Sequence, residues 1–142
     1  MKNILIFLLF TLFCNASGQS RSFTFNFNPK KFIKENKLTE GGRKEIFFNL
    51  YDINGKETKF ITADRTTEAL RKEQIYSFKG KSEDGKKLIT LTIASGKLTG
   101  AYMESGLSYF IEPLEKNCKK KYRIYTSPEK GFQVGQPDDV IR

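Results

Sequence analysis

Apolar and polar residues alternate along most of this chain, as they do in β-strands that bury one face. Phe23, Phe25 and Phe27, for example, are each separated by one polar residue. We predict eight strands from this pattern, over residues 22–28, 43–51, 57–63, 74–79, 87–94, 98–103, 107–112 and 122–126.

Turn residues separate the predicted strands at intervals of roughly ten residues. Asn54-Gly55 suits a tight hairpin between the second and third strands. Short turns at 82–85, 95–96 and 104–106 divide the next four strands into an antiparallel meander. We assign Gly80, Gly96, Gly100 and Gly106 to turns or bulges, because no strand-to-helix context supports a phosphate-binding loop.

The helical signal is confined to one segment. Residues 64–73 offer Asp or Thr as an N-cap and end in basic residues, whereas residues 30–38 form a basic connector. We therefore predict a mainly β fold with one short helix, in which an antiparallel meander forms a sheet or a small sandwich.

The first 18 residues have the features of a secretory signal peptide. Lys2 precedes an apolar run over 4–13, and the small residues at 16–18 place the cleavage before Gln19. Phe13 stands before Cys14 where a lipoprotein signal needs a small residue, so we do not expect lipidation. The expected product is secreted or periplasmic, with no transmembrane segment, a single β-rich domain over 19–126 and an extended tail over 127–142.

Composition excludes several catalytic chemistries. The chain has no His, so it cannot form a Ser-His-Asp triad, a Cys-His pair or a His-ligated zinc site. Most of its 16 Asp and Glu residues lie beside Lys or in turns, as at 83–84 and 138–139. We therefore predict a protein that is not an enzyme and needs no cofactor, with a small carboxylate hydrolase as a minor alternative.

Basic residues outnumber acidic ones, 25 to 16, and loss of Lys2 with the signal lowers the formal charge only from +9 to +8. Such a charge attracts polyanions over long distances. The candidate contacts are Lys119, Lys120, Lys121 and Arg123. Because export removes the chain from cytoplasmic nucleic acid, we expect no nucleic-acid partner and keep cell-surface or other polyanions as the alternative.

Cys118 is the single cysteine left after cleavage, so no internal disulfide is expected. Its thiol is then buried, reactive or intermolecular. The lysines that follow it would favour the thiolate, which is the form that binds metals. The alternative is a free thiol without a function at the edge of a loop.

The order of residues in the second half of the chain is similar to that of a known family. The residues concerned are Ile75 to Gly80, Asp84-Gly85, the strand from Leu88 to Ile93, Gly96, Gly100, Gly106, Tyr109 to Pro113, Tyr122 and Tyr125. With the hairpin and helix upstream, they resemble the N-terminal propeptide of secreted reprolysin/adamalysin-like zinc metalloproteases, above all the bacterial ones, over roughly residues 43–126.

The resemblance implies a propeptide-like domain without its protease, because no His-Glu-x-x-His zinc site is present. Such a domain would inhibit an exported zinc metalloprotease or assist its folding, and the chain would be either a complete protein or a truncated remnant. In some family members a propeptide cysteine ligates the catalytic zinc. Cys118 is the candidate for this role here, although its neighbours do not form the usual Pro- and Gly-containing motif.

Overall fold

The computed structural model describes residues 21–42 and 45–126. The fold is mainly β, as predicted, and the predicted signal segment and tail lie outside the described residues. In chain order the elements are β1 (Ser22–Asn26), α1 (Pro29–Glu35), β2 (Glu45–Tyr51), β3 (Glu57–Asp64), α2 (Glu68–Lys72), β4 (Tyr76–Ser82), β5 (Lys87–Ala94), β6 (Lys97–Glu104), β7 (Leu107–Pro113) and β8 (Lys121–Thr126).

All eight strands belong to one antiparallel sheet, in the order β1-β8-β7-β6-β5-β4-β3-β2. The prediction of a meander is confirmed, and the eight predicted strands match the observed ones to within three residues at each end. Neither helix of the described part of the chain is long and apolar enough to cross a membrane.

The sheet curls until its two edge strands, β1 and β2, lie close together. The rings of Phe23 and Phe25 on β1 lie 5.5 and 5.9 Å from that of Tyr51 on β2, measured between centroids. Within the described residues, β1 pairs only with β8 and β2 only with β3. Aromatic side chains therefore bridge the gap between strands that are not hydrogen-bonded to each other.

Alternate residues of each strand point into the curled sheet and form one core. This arrangement follows from the period of two along a strand, and it removes the apolar side chains from water. Core side chains with at most 2% of their surface exposed include Phe48, Phe60, Phe78, Leu91, Ile111 and Ile124.

Two glycines lie inside strands, which corrects part of the turn-or-bulge assignment. Gly80 is in β4 and Gly100 in β6, whereas Gly96 and Gly106 lie in turns with φ of +70° and +79°. A Cβ on Gly80 would overlap the carbonyl oxygen of Ile61, and one on Gly100 would overlap that of Thr90. The tight curl of the sheet therefore requires a residue without a side chain at these positions.

Helix α1 occupies most of the segment over 30–38 that was predicted as a connector, so that part of the prediction is wrong. The Asn28 side chain accepts a hydrogen bond of 3.2 Å from the Lys31 amide, and Pro29 occupies the first turn. The ring of Phe32 stacks on Phe48 at 4.3 Å. A seven-residue helix is marginal alone, so this packing against the core explains why it forms.

Helix α2 is shorter than the predicted helix over 64–73. Thr67 is the N-cap, and its hydroxyl accepts a hydrogen bond of 3.3 Å from the Leu70 amide. Asp64 ends β3 and forms an ion pair of 3.0 Å with Arg71 of α2.

Candidate functional site

Successive connections of the meander lie at opposite ends of the curled sheet. The hairpin end carries the β2–β3, β4–β5 and β6–β7 turns. The α1 end carries α1, α2, the β5–β6 turn and the β7–β8 connection. This division is a direct consequence of antiparallel pairing between sequential strands.

Charge differs between the two ends. Counted over the described residues that connect strands, the α1 end has ten Lys or Arg and five Glu, and the hairpin end has two Lys and three acids. The basic residues of the α1 end are Lys30, Lys31, Lys34, Lys37, Arg65, Arg71, Lys72, Lys116, Lys119 and Lys120, and its acids are Glu35, Glu40, Glu68, Glu73 and Glu115. The positive excess of the described connections therefore lies at the α1 end.

Six lysines in or next to these connections are called here the lysine cluster: Lys30, Lys97, Lys116, Lys119, Lys120 and Lys121. Helix α1 supplies Lys30, the first residue of β6 is Lys97, and the β7–β8 connection with the first residue of β8 supplies the other four. Lys97 Nζ donates to the Lys116 carbonyl oxygen at 2.6 Å, which joins the start of β6 to the β7–β8 connection. The side chain of Lys30 lies beside Gly96, within 3.9 Å of where a Cβ would stand, which brings in α1.

Tyr122 holds the backbone of the β7–β8 connection in place. Its hydroxyl donates to the Lys119 carbonyl oxygen at 3.0 Å and accepts from the Leu98 amide at 3.2 Å. Burial raises the pKa of this phenol, so it keeps its proton and remains a donor.

A second hydrogen bond fixes the β7–β8 connection to the end of the edge strand β1. The Phe27 amide, just after β1, donates to the Lys120 carbonyl oxygen at 2.9 Å. Lys119, Lys120 and Lys121 are exposed, so their ammonium groups extend into solvent from a backbone that is held on two sides.

Arg123, the fourth predicted polyanion contact, lies on the outer face of β8 and is already paired. Its Nε donates to Glu112 Oε1 at 2.8 Å, and its guanidinium lies 4.8 Å from the centroid of the Tyr125 ring. Tyr125 also donates to Glu112, at 3.1 Å. Because Glu112 balances its charge, Arg123 is not assigned to the lysine cluster.

Cys118 lies in the β7–β8 connection among the cluster lysines and is partly exposed. Its amide donates to the Glu115 carbonyl oxygen at 2.9 Å, and its sulfur accepts from the Lys121 amide at 3.3 Å. No group of three or more possible metal ligands occurs in the described part of the chain.

The turn acids that argued against a carboxylate hydrolase include Asp84, which has structural contacts. Asp84 accepts hydrogen bonds from the Ser82 hydroxyl at 2.5 Å and from the Lys86 amide at 3.0 Å. These bonds lower the pKa of the Asp84 carboxyl, that of Ser82 having the largest effect. The acids at 138–139 lie outside the described residues.

Three of the six cluster lysines, Lys119 to Lys121, were predicted from the sequence, whereas Lys30, Lys97 and Lys116 were not. The run of three lysines is visible in the sequence and Lys116 lies three residues before it, but Lys97 and Lys30 approach it only through the pairing and curl of the strands. No local pattern marks them, since each is an ordinary lysine at a turn or on a short helix.

Comparison of the chain with protein-family models, with curated proteins and with solved structures gives no match. The candidate function therefore depends on the geometry and charge of the lysine cluster.

Proposed function

We propose that this protein binds polyanionic polymers through the lysine cluster at the α1 end of the sheet. The observation that carries the proposal is the meeting of lysines from α1, the start of β6 and the β7–β8 connection at one end of the sheet. A polymer with repeated negative charges can contact several of these lysines at once, which a small anion cannot.

The lysines of the cluster make no ion pair with any described carboxylate. Glu115 is the one acid within the β7–β8 connection, and Glu35 of α1 pairs with Lys31, 3.6 Å away. The positive charges are therefore free to attract an external anion. Each lysine that contacts the polymer releases a counterion, which makes binding favourable at low salt.

The fixed backbone of the β7–β8 connection also favours binding. Because Tyr122 and the Phe27 amide hold the β7–β8 connection, binding orders only the lysine side chains and not the loop. The protein then gives up less conformational entropy, so more of the charge attraction appears as affinity.

Heparin chromatography of the protein tests the proposal. We expect retention that is lost at moderate salt, and earlier elution when Lys116, Lys119 and Lys120 are all changed to Gln. A matched control changes Lys56, Lys81 and Lys86 to Gln, which removes the same charge outside the cluster. Equal elution of the two triple variants would show that net charge, and not the cluster, causes retention.

A second candidate function is suggested by the position of Cys118. We propose that, if the chain acts as a propeptide-like partner, Cys118 approaches the zinc of an exported metalloprotease. The partly exposed sulfur supports this candidate, because cysteine sulfur is a common ligand of zinc. Inhibition of an exported metalloprotease from the same source should then fall sharply in Cys118→Ser, and equal inhibition by both proteins would contradict the role of the thiol.

A further inference from the structure

A notch of about 270 Å³ lies at the edge of the lysine cluster. Asn26, Phe27 and Asn28 form one side of it, and Lys120 forms the other. The bond from the Phe27 amide to the Lys120 carbonyl oxygen joins the two sides at 2.9 Å. The shape of the notch is therefore set by the backbone of the fold.

Both asparagines in the notch can hydrogen-bond to a ligand. Asn26 lies on the outer face of β1, is exposed, and makes no side-chain hydrogen bond with another described residue. Asn28 uses its oxygen to cap α1 through the Lys31 amide, which leaves its NH₂ group to donate. Together the amides offer donors and one acceptor to a neutral polar group.

Phe27 provides the apolar surface of the notch. Its ring contacts those of Phe32, Phe48 and Tyr122, at centroid distances of 5.3, 6.2 and 6.2 Å, and the residue remains partly exposed. These contacts hold the ring in one place, so its exposed part presents a fixed apolar patch beside Asn26, Asn28 and Lys120.

We infer that the notch binds one acidic sugar residue of a polysaccharide, an inference that rests on the proposed polyanion binding. A sugar ring with a carboxylate combines an apolar C–H face, hydroxyls and one negative charge. Phe27 contacts the C–H face, the Asn26 and Asn28 amides bind the hydroxyls, and Lys120 pairs with the carboxylate.

A phospholipid surface matches this chemistry less well. Peripheral membrane binding needs large apolar side chains that enter the bilayer beside the cations. Leu114, 37% exposed, is the single large exposed hydrophobic residue in the described β7–β8 connection. Amide groups beside a partly covered ring favour a ligand rich in hydroxyls.

The test compares dissociation constants for two polyanions of matched charge number, oligogalacturonate and polyphosphate, by calorimetry at one salt concentration. The wild-type protein should bind oligogalacturonate more tightly. Asn26→Ala should weaken oligogalacturonate binding roughly threefold to tenfold, the value of one hydrogen bond, and leave polyphosphate binding unchanged. Asn49→Ala, an exposed asparagine on the outer face of β2, is the matched control and should change neither.

Lys120 is tested in the same assay. Lys120→Gln should weaken binding of both polymers, because it removes a charge, whereas Lys81→Gln should have little effect on either. If the wild-type protein bound both polymers equally and Asn26→Ala had no effect, the inference of a sugar site in the notch would be wrong. The proposal of polyanion binding would still stand. Binding only to phosphatidylglycerol vesicles would also overturn the sugar site, and binding to no polyanion would contradict the proposed function itself.

Discussion

The hydroxyl of Tyr122 and the carbonyl oxygen of Lys119 are joined by a hydrogen bond of 3.0 Å, and this bond connects the core to the lysine cluster. The Tyr122 ring is fully buried, while Lys119 is exposed. The Tyr122 side chain therefore links the buried core directly to the backbone of the exposed β7–β8 connection.

We expect Tyr122→Phe to lower the free energy of unfolding by about 1–3 kcal/mol, because it leaves the Leu98 amide and the Lys119 carbonyl without their partner. Urea unfolding followed by circular dichroism measures this change. Tyr109→Phe is the control, since the Tyr109 ring stacks on Tyr102 at 4.7 Å and its hydroxyl makes no hydrogen bond with a described residue. Equal destabilisation of the two variants would contradict the role of the Tyr122 hydroxyl.

The curl of the sheet predicts that alanine destabilises the protein more at Gly80 than at Gly85. Gly80→Ala should destabilise the protein by about 3 kcal/mol or prevent folding, because its Cβ meets the Ile61 backbone. Gly85→Ala should cost only about 1 kcal/mol, because Gly85 has φ of +73° but open space around it. Thermal unfolding of both variants gives the comparison, and a Gly80→Ala protein as stable as Gly85→Ala would mean that the sheet is less tightly curled there.

Stability should fall in acid because of Asp64. Burial opposes ionisation of this carboxyl, but hydrogen bonds from Thr66 and Arg71 outweigh it, so the pKa of Asp64 is lowered from its ordinary value of 3.8. The folded state therefore binds protons less readily than the unfolded state, and the stabilisation present above about pH 4 is lost as pH falls through the lowered pKa.

Asp64→Asn should accordingly reduce stability near pH 7 by about 2 kcal/mol and flatten its dependence on pH below 4. Urea unfolding at pH 3 to 7 measures both effects. Glu35→Gln is the control, because its pair with Lys31 is exposed and contributes little. If Asp64→Asn followed the same acid profile as the wild-type protein, the hydrogen bonds of Asp64 would not be the cause.

The strands were predictable from the sequence because their signal is local. Phe23 and Phe25, or Ile89 and Leu91, show the period of two directly, and Asn54-Gly55 marks a hairpin within four residues. Helix α1 has a local start signal in Asn28-Pro29, but its seven residues are too few to show a helical period. Its stability comes from the contact of Phe32 with Phe48, which lies in another element.

The candidate site was only partly predictable for the same reason. Lys119 to Lys121 are neighbours in sequence, but Lys97 reaches Lys116 only through the pairing of β6, β7 and β8. The hydroxyl of Tyr122 has no signal in the sequence at all, because a tyrosine in a strand is ordinarily a packing residue. Contacts that depend on the order and curl of strands are set by the whole sheet and not by any short segment.

The central claim, that the lysine cluster binds polyanions, is tested most directly by the salt dependence of binding to heparin. We expect the logarithm of the association constant to fall linearly with the logarithm of salt concentration. Changing Lys116, Lys119 and Lys120 to Gln should make the slope shallower by about one for each lysine that no longer binds the polymer, and the Lys56, Lys81 and Lys86 control should keep the wild-type slope. The same slope in all three proteins, or no binding by the wild-type protein, would contradict the claim.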